Sequence, residues 1–167
     1  MPAVVSDTGP LHYLVLIRCI GILPQLFTSI IVPETVRAEL DRPETPALVR
    51  AWVTEQPAWL DVRPAPIMDD IRLRSMHEGE RDAIALSVEL QADLLLMDDR
   101  AGVTAARSLG LVVTSTLGLL AIAHDHRLVD LSPVLERLKG TNFRYRPELI
   151  DALLAGHSRS GGPAGSV

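Results

Sequence analysis

Five acidic residues stand where they could do chemistry: Asp7, Glu39, Glu80, Asp98 and Asp99. Asp7 follows the apolar run Ala3-Val4-Val5 and Ser6, and Asp98 with Asp99 follows Leu94-Leu95-Leu96-Met97. If the two runs are parallel neighbours in a sheet, these acids leave it at one edge and converge. Either aspartate alone also suits the capping of a following helix. A pair at two strand ends favours a site. Glu80 lies in the first turn of a mostly apolar helix, where a dipole interaction of about 0.3–1 kcal/mol accounts equally well for Glu78, Glu80 and Asp82. Glu39 sits beside Val36 at the margin of an inward-facing stripe, with a rim glutamate on a surface helix as the alternative. Carboxylates that meet form a set of hard oxygen donors, which suits Mg²⁺ or Mn²⁺ better than zinc. Without a cation they raise one another's pKa values. A divalent ion relieves the repulsion and keeps them ionised.

The elements that must position these acids are legible as short apolar runs alternating with helical patterns. Strands are expected at residues 3–5, 29–32, 59–62, 92–97 and 111–113. Between them, helices are expected with Pro10 in the first turn of the first, then over 33–40, from Pro46 through Trp52, over 78–90, over 103–109 and over 117–124, with two more at 132–138 and 147–154. Residues 6–10 read as a turn-forming loop, and Gly110 as the C′ residue of the helix before it. Strands that are apolar on both faces and alternate with helices imply a mainly parallel sheet covered on both sides, an α/β three-layer sandwich. Function in such sheets gathers beyond the carboxyl ends of the strands.

Bulk properties are compatible with this plan. The 167 residues fit one domain with a proper core, and 47% hydrophobic with 22% charged residues is ordinary for a globular chain. Aromatics make up only 4%, so Leu, Val, Ile and Ala must build the core. The single Cys19 excludes an internal disulfide and a cysteine-based zinc site, and reads as a small buried hydrophobe. A net charge of −5 argues against strong nonspecific binding to nucleic acid, though not against a nuclease whose bound cations offset an acidic site. The opening residues carry no basic leader. The apolar stretch over 11–26 is broken by His12, Arg18, Gly21 and Pro24, too often to span a bilayer, so a cytoplasmic location without membrane contact is expected. One domain is expected over 1–155, with a disordered tail over 156–167.

Taken in order, Ser6-Asp7-Thr8-Gly9-Pro10-Leu11, Val36-Arg37-Ala38-Glu39-Leu40, Gly79-Glu80-Arg81-Asp82-Ala83-Ile84-Ala85-Leu86 and Leu94-Leu95-Leu96-Met97-Asp98-Asp99-Arg100 resemble the acidic series of the PIN-domain family. The resemblance covers nearly all of the chain before the tail. Each motif is short, and their order and spacing together carry the specificity. Gly79-Glu80 with 83–86, and Thr114-Ser115-Thr116-Leu117-Gly118-Leu119-Leu120, resemble a poorly characterised prokaryotic branch related to VapC-type toxins. The resemblance implies a PIN-like sandwich and a metal-dependent ribonuclease, with Asp7, Glu39, Glu80 and Asp98 as the catalytic acids. Asp7, Glu80 and Asp98 would hold Mg²⁺ or Mn²⁺, with Asp99 sharing or replacing the role of Asp98. Many relatives carry Asp where this chain has Glu80, and the longer reach moves the expected ion position. Asp82 is the weaker occupant of that role. Thr8 is expected to orient Asp7 or a water, or else to cap the helix. The implied partners are an RNA substrate, an antitoxin protein and a second copy of the chain in a homodimer, and the implied chemistry is phosphodiester hydrolysis by water that the cation activates.

Two further features carry less. Residues 139–146 combine Lys139, Arg144 and Arg146 with Phe143 and Tyr145, a mix that can hold single-stranded RNA, although a packed loop before the last helix is favoured. His124-Asp125-His126 reads as a solvated helix end, because positions i and i+2 do not share a helical face. Two competing functions stay open. One is a noncatalytic RNA-binding or protein-binding module on the same scaffold. The other is a flavodoxin-like phosphoacceptor domain, disfavoured because lysine is nearly absent and only Asp7 follows the first strand.

Overall fold

The structure is a computed structural model that describes residues 2–158. Five parallel strands form one sheet in the order β3-β2-β1-β4-β5: β1 (Val4–Ser6), β2 (Ile30–Pro33), β3 (Leu60–Arg63), β4 (Leu94–Leu96) and β5 (Val113–Thr114). The central pair is in register at Val4↔Leu94, Val5↔Leu95 and Ser6↔Leu96. Period-two geometry sends alternate side chains to opposite faces. Val4, Ile30, Val32 and Leu96 accordingly enter one core, whereas Val5, Ile31, Leu95 and Met97 enter another. A strand with apolar demands on both faces has to be covered on both, and the helices meet that demand.

The first core is roofed by α1 (Thr8–Leu16), α2 (Ile22–Phe27), α3 (Glu34–Leu40), α4 (Ala47–Glu55), α7 (Thr116–Asp125), α8 (Leu131–Lys139) and α9 (Pro147–Ser158). The second lies under α5 (Glu78–Glu89) and α6 (Arg100–Ser108), with Leu73 of a 3₁₀ turn (Ile71–Leu73) closing its edge. Leu11, Leu14, Leu23, Leu40, Ile84 and Leu95 are completely buried, each contributing roughly 1.5–3 kcal/mol of transfer free energy. Cys19 is buried and unpaired. No helix among the described residues is long and apolar enough to cross a membrane.

Several boundaries move. Residues 6–10 form no loop: Ser6 ends β1 and Asp7 occupies the N-cap of α1, while Pro10 lies in the first turn as expected, where its missing N–H costs nothing. Pro33, expected to open a helix, is the last residue of β2 and the N-cap of α3, because φ −68° and ψ 154° serve both states. α6 begins at Arg100, ahead of the expected residue 103, since Asp99 caps it by accepting from Gly102 N–H at 2.8 Å. Gly110 does take the left-handed conformation that ends α6, with φ 84°. α9 runs through Gly156 and His157 to Ser158, past the expected start of the tail. The rest of that tail, 159–167, lies outside the described residues.

Candidate metal centre

Chain order places β2 and β3 on one side of β1, and β4 and β5 on the other. The topological switch point therefore falls between β1 and β4, where two connections leave in opposite directions and a crevice must open at the carboxyl ends. Asp7 emerges there from β1, its N–H donating to Leu96 O at 2.9 Å. Asp98 emerges one residue beyond Met97 on the neighbouring strand. A cleft of about 510 Å³ at this point is lined by Asp7, Glu39, Glu80, Asp98 and Asp99, together with Thr8, Gly9, Arg42, His77 and Glu78. All five acids singled out by their spacing thus share one cleft.

Each acid is held differently. Asp7 is the most buried, at 5% exposure, and its Oδ1 has no hydrogen-bond partner. Burial is the main reason its pKa rises from 3.8 to about 7; the Thr8 backbone N–H opposes the rise, and the charges of Glu80, Glu39 and Asp98 add to it. Asp98 accepts from Thr116 twice, the backbone N–H reaching Oδ1 at 2.8 Å and the hydroxyl reaching Oδ2 at 2.6 Å. Its pKa is pushed up by burial, against the lowering effect of those two bonds. Gly9 gives it room, since a Cβ there would stand 3.3 Å from Oδ2.

Glu39 is clamped from both sides. Its Oε2 accepts from the Thr8 hydroxyl at 2.5 Å and its Oε1 from Gly79 N–H at 3.1 Å. A Cβ on residue 79 would fall 2.7 Å from Glu39 Cδ, so glycine is what lets α5 start against this carboxylate. Thr8 consequently serves Glu39. Its hydroxyl is thereby turned away from Asp7, which Thr8 reaches through its backbone N–H, and it does not cap α1, the N-cap position being Asp7 itself.

Glu80 is half-buried at the third position of α5, where it takes a backbone hydrogen bond from the N-cap residue His77, half of a capping box. Its pKa is raised first by burial and then by the charge of Asp99, while His77 pulls it down. Asp99 is exposed, and its Oδ2 is engaged in capping α6. The capping alternative thus describes Asp99, while Asp98 has no such bond to its own helix. Asp82 faces elsewhere, accepting from the Thr35 hydroxyl at 2.9 Å.

The chemistry of this donor set fits a hard divalent cation: all oxygen, with one buried carboxylate oxygen unpartnered. Among the described residues no three side chains stand in ready-made coordination; Asp98, Glu39 and Asp99 are instead engaged by hydrogen bonds from Thr116, Thr8, Gly79 and Gly102. That arrangement is compatible with Mg²⁺, which keeps several waters and needs only one or two protein carboxylates. Asp7 and Asp98 are the pair on adjacent strand ends, and Glu80 faces them from α5.

Sequence reasoning missed three residues here. Thr116, fully buried, was legible only as part of a segment, although a hydroxyl residue opening a helix after a strand is a signal for holding an acid. Arg42 and His77 line the cleft and gave no pattern to read. His124 and His126 lie at the far end of α7; His124 Nδ1 accepts from Leu131 N–H at 3.2 Å and takes no part in the cleft.

A PIN-domain family model matches residues 3–159. Among solved structures, a PilT N-terminus domain protein from the hyperthermophilic archaeon Sulfolobus solfataricus is similar in fold, with a TM-score of 0.51 and 17% identity, covering 87% of this chain and 100% of that one. At that identity the likeness concerns the fold alone. No curated protein matches the sequence.

Proposed function

Because this chain belongs to the PIN-domain family, a nuclease-type fold, we propose that it is a metal-dependent endoribonuclease that hydrolyses RNA phosphodiester bonds. One observation carries the reading: Asp7 at the switch point lines a cleft with five further acids, and its buried Oδ1 has no hydrogen-bond partner. Asp7, Asp98 and Glu80 are the residues that would hold Mg²⁺ or Mn²⁺, with Asp99 as a further contact through the oxygen its cap leaves over. When bound, the ion would offset charge on the phosphate and acidify water.

The chain's own groups do the positioning. Thr116 fixes both oxygens of Asp98, so that its carboxylate presents one orientation. Thr8 and Gly79 fix Glu39, which adds negative charge beside Asp7 and accepts a proton if water is the nucleophile. The setting that the resemblance to VapC-type toxins supports is the toxin of a toxin–antitoxin pair, with an antitoxin and a second copy of the chain as partners. A small upstream reading frame with a DNA-binding pattern would agree with that setting.

A noncatalytic RNA-binding or protein-binding module on the same scaffold is the second reading. It is favoured by the tying down of Glu39 and Asp98 through both oxygens. Purified protein and structured RNA separate the two. Cleavage should require Mg²⁺ or Mn²⁺ and vanish in Asp7→Asn and Asp98→Asn variants that still fold. Cleavage surviving in both variants, or none in any metal with the wild type, overturns the nuclease reading.

A further inference from the structure

Past Asp98 and Asp99 the acidic cleft is continuous with a second, larger groove of about 710 Å³ whose walls have a different character. Arg100 at the start of α6, and Arg144 and Arg146 from the segment joining α8 to α9, supply positive charge, and Tyr145 supplies a ring that is 37% exposed. The segment is anchored by its neighbours. Phe143 is buried in the first core, its ring 4.9 Å from that of Tyr13 at 80°, and the Tyr13 hydroxyl donates to Asn142 Oδ1 at 3.0 Å. The segment is thus a packed loop, as favoured from sequence, and yet the packing of Phe143 leaves Arg144, Tyr145 and Arg146 exposed.

A polyanion approaching a molecule of net charge −5, at a cleft lined with carboxylates, needs local cations to hold it. The groove supplies them on the other side of the very acids that it shares with the cleft. We propose that this groove is the track for single-stranded RNA beside the scissile phosphate, with Arg100, Arg144 and Arg146 on backbone phosphates and Tyr145 stacked on a base. The inference rests on the nuclease reading for what happens at the acids. The commitment to a single strand follows from Tyr145, because a ring can stack only on a base whose face is free, and a duplex hides those faces.

The test uses the full chain, a fluorescent 12-nucleotide uridine-rich RNA and a hairpin of the same length. Binding is followed by anisotropy in chelator, so that cleavage plays no part. Wild type should bind the single strand more tightly than the hairpin. Arg144→Ala with Arg146→Ala should weaken binding at least tenfold and lower the slope of log K against log salt by about 1.4, two single-strand phosphate contacts at about 0.7 each. Tyr145→Leu should weaken binding about tenfold and Tyr145→Phe should restore it. With metal present, Arg144→Ala with Arg146→Ala, and Tyr145→Leu, should raise KM more than they lower kcat, and Tyr145→Phe should leave KM near wild type.

If the groove variants bind and cleave like wild type while Asp7→Asn abolishes cleavage, the track is wrong and the nuclease reading stands. If binding depends on the groove but no metal supports cleavage, the nuclease reading fails and the track stands. Absence of RNA binding by wild type, or loss of self-association instead of RNA binding in the variants, makes the groove something other than an RNA track and overturns the proposal.

Discussion

Replacing Asp7 by asparagine should make the metal-free protein more stable at neutral pH, although it removes the centre of the site. The reasoning starts from its burial and its company. Folding moves this carboxyl from 3.8 to about 7. A raised folded-state pKa means that stability is fully present below about pH 4, where the group is neutral in both states, and is lost as pH rises through about 7. The difference between the two values, at 1.36 kcal/mol per pH unit, corresponds to about 4 kcal/mol by pH 8. Asparagine keeps the shape and never ionises. Urea unfolding of wild type and Asp7→Asn in chelator, at pH 4.5, 6 and 8, should therefore give curves that differ by only about 1 kcal/mol at the lowest pH and by about 4 kcal/mol at the highest. Millimolar Mg²⁺ should close much of that separation by stabilising wild type selectively, since a ligand that binds only the folded state adds RT ln(1 + [L]/Kd). A variant less stable than wild type at pH 8 in chelator, or a separation that does not change with pH, would refute the argument.

The remaining predictions concern the groups around it. Gly79→Ala should destabilise by about 1–3 kcal/mol through its clash with the Glu39 carboxylate, although alanine ordinarily strengthens a helix by up to about 1 kcal/mol; adding Glu39→Ala should turn the same change stabilising, a coupling that a double-mutant unfolding cycle measures directly. Thr116→Val deletes the hydroxyl donated to Asp98 and should lower metal affinity or turnover about 10- to 100-fold, with Thr116→Ser near wild type, as read by titration and initial rates. Asp99→Ala should cost about 1 kcal/mol as a lost α6 cap. Asp99→Asn should keep that stability, so a fall in metal affinity in the asparagine variant would mark Asp99 as a ligand as well as a cap.

What the sequence could convey depended on how local the cause was. β1 and β4 were legible because Val4, Val5, Leu95 and Leu96 are apolar on both faces, and because each strand ends in an acid at the same edge. The switch point between them was not written in either segment. It is a property of strand order, which follows from packing the whole chain. α2 was hidden because Pro24 interrupts an apolar run, yet Pro24 falls in the first turn, where proline is tolerated. α6 was read three residues late because its apolar periodicity begins at Val103, while its true start is set by the Asp99 cap. Within the site, Asp7 and Asp98 were readable from their strands. The clamp on Glu39 joins Thr8 to Gly79 across 71 residues, and no local pattern carries a contact of that range.

The central claim is that carboxylates from both halves of the chain hold one divalent cation. The direct measurement is an anomalous difference map from a crystal equilibrated with Mn²⁺. The account predicts a single dominant peak within about 2.0–2.6 Å of carboxylate oxygens of Asp7 and Asp98, on the Glu80 side of the cleft, that disappears in Asp7→Asn. A fully loaded crystal with no peak there, or with its main peak away from both aspartates, would contradict it.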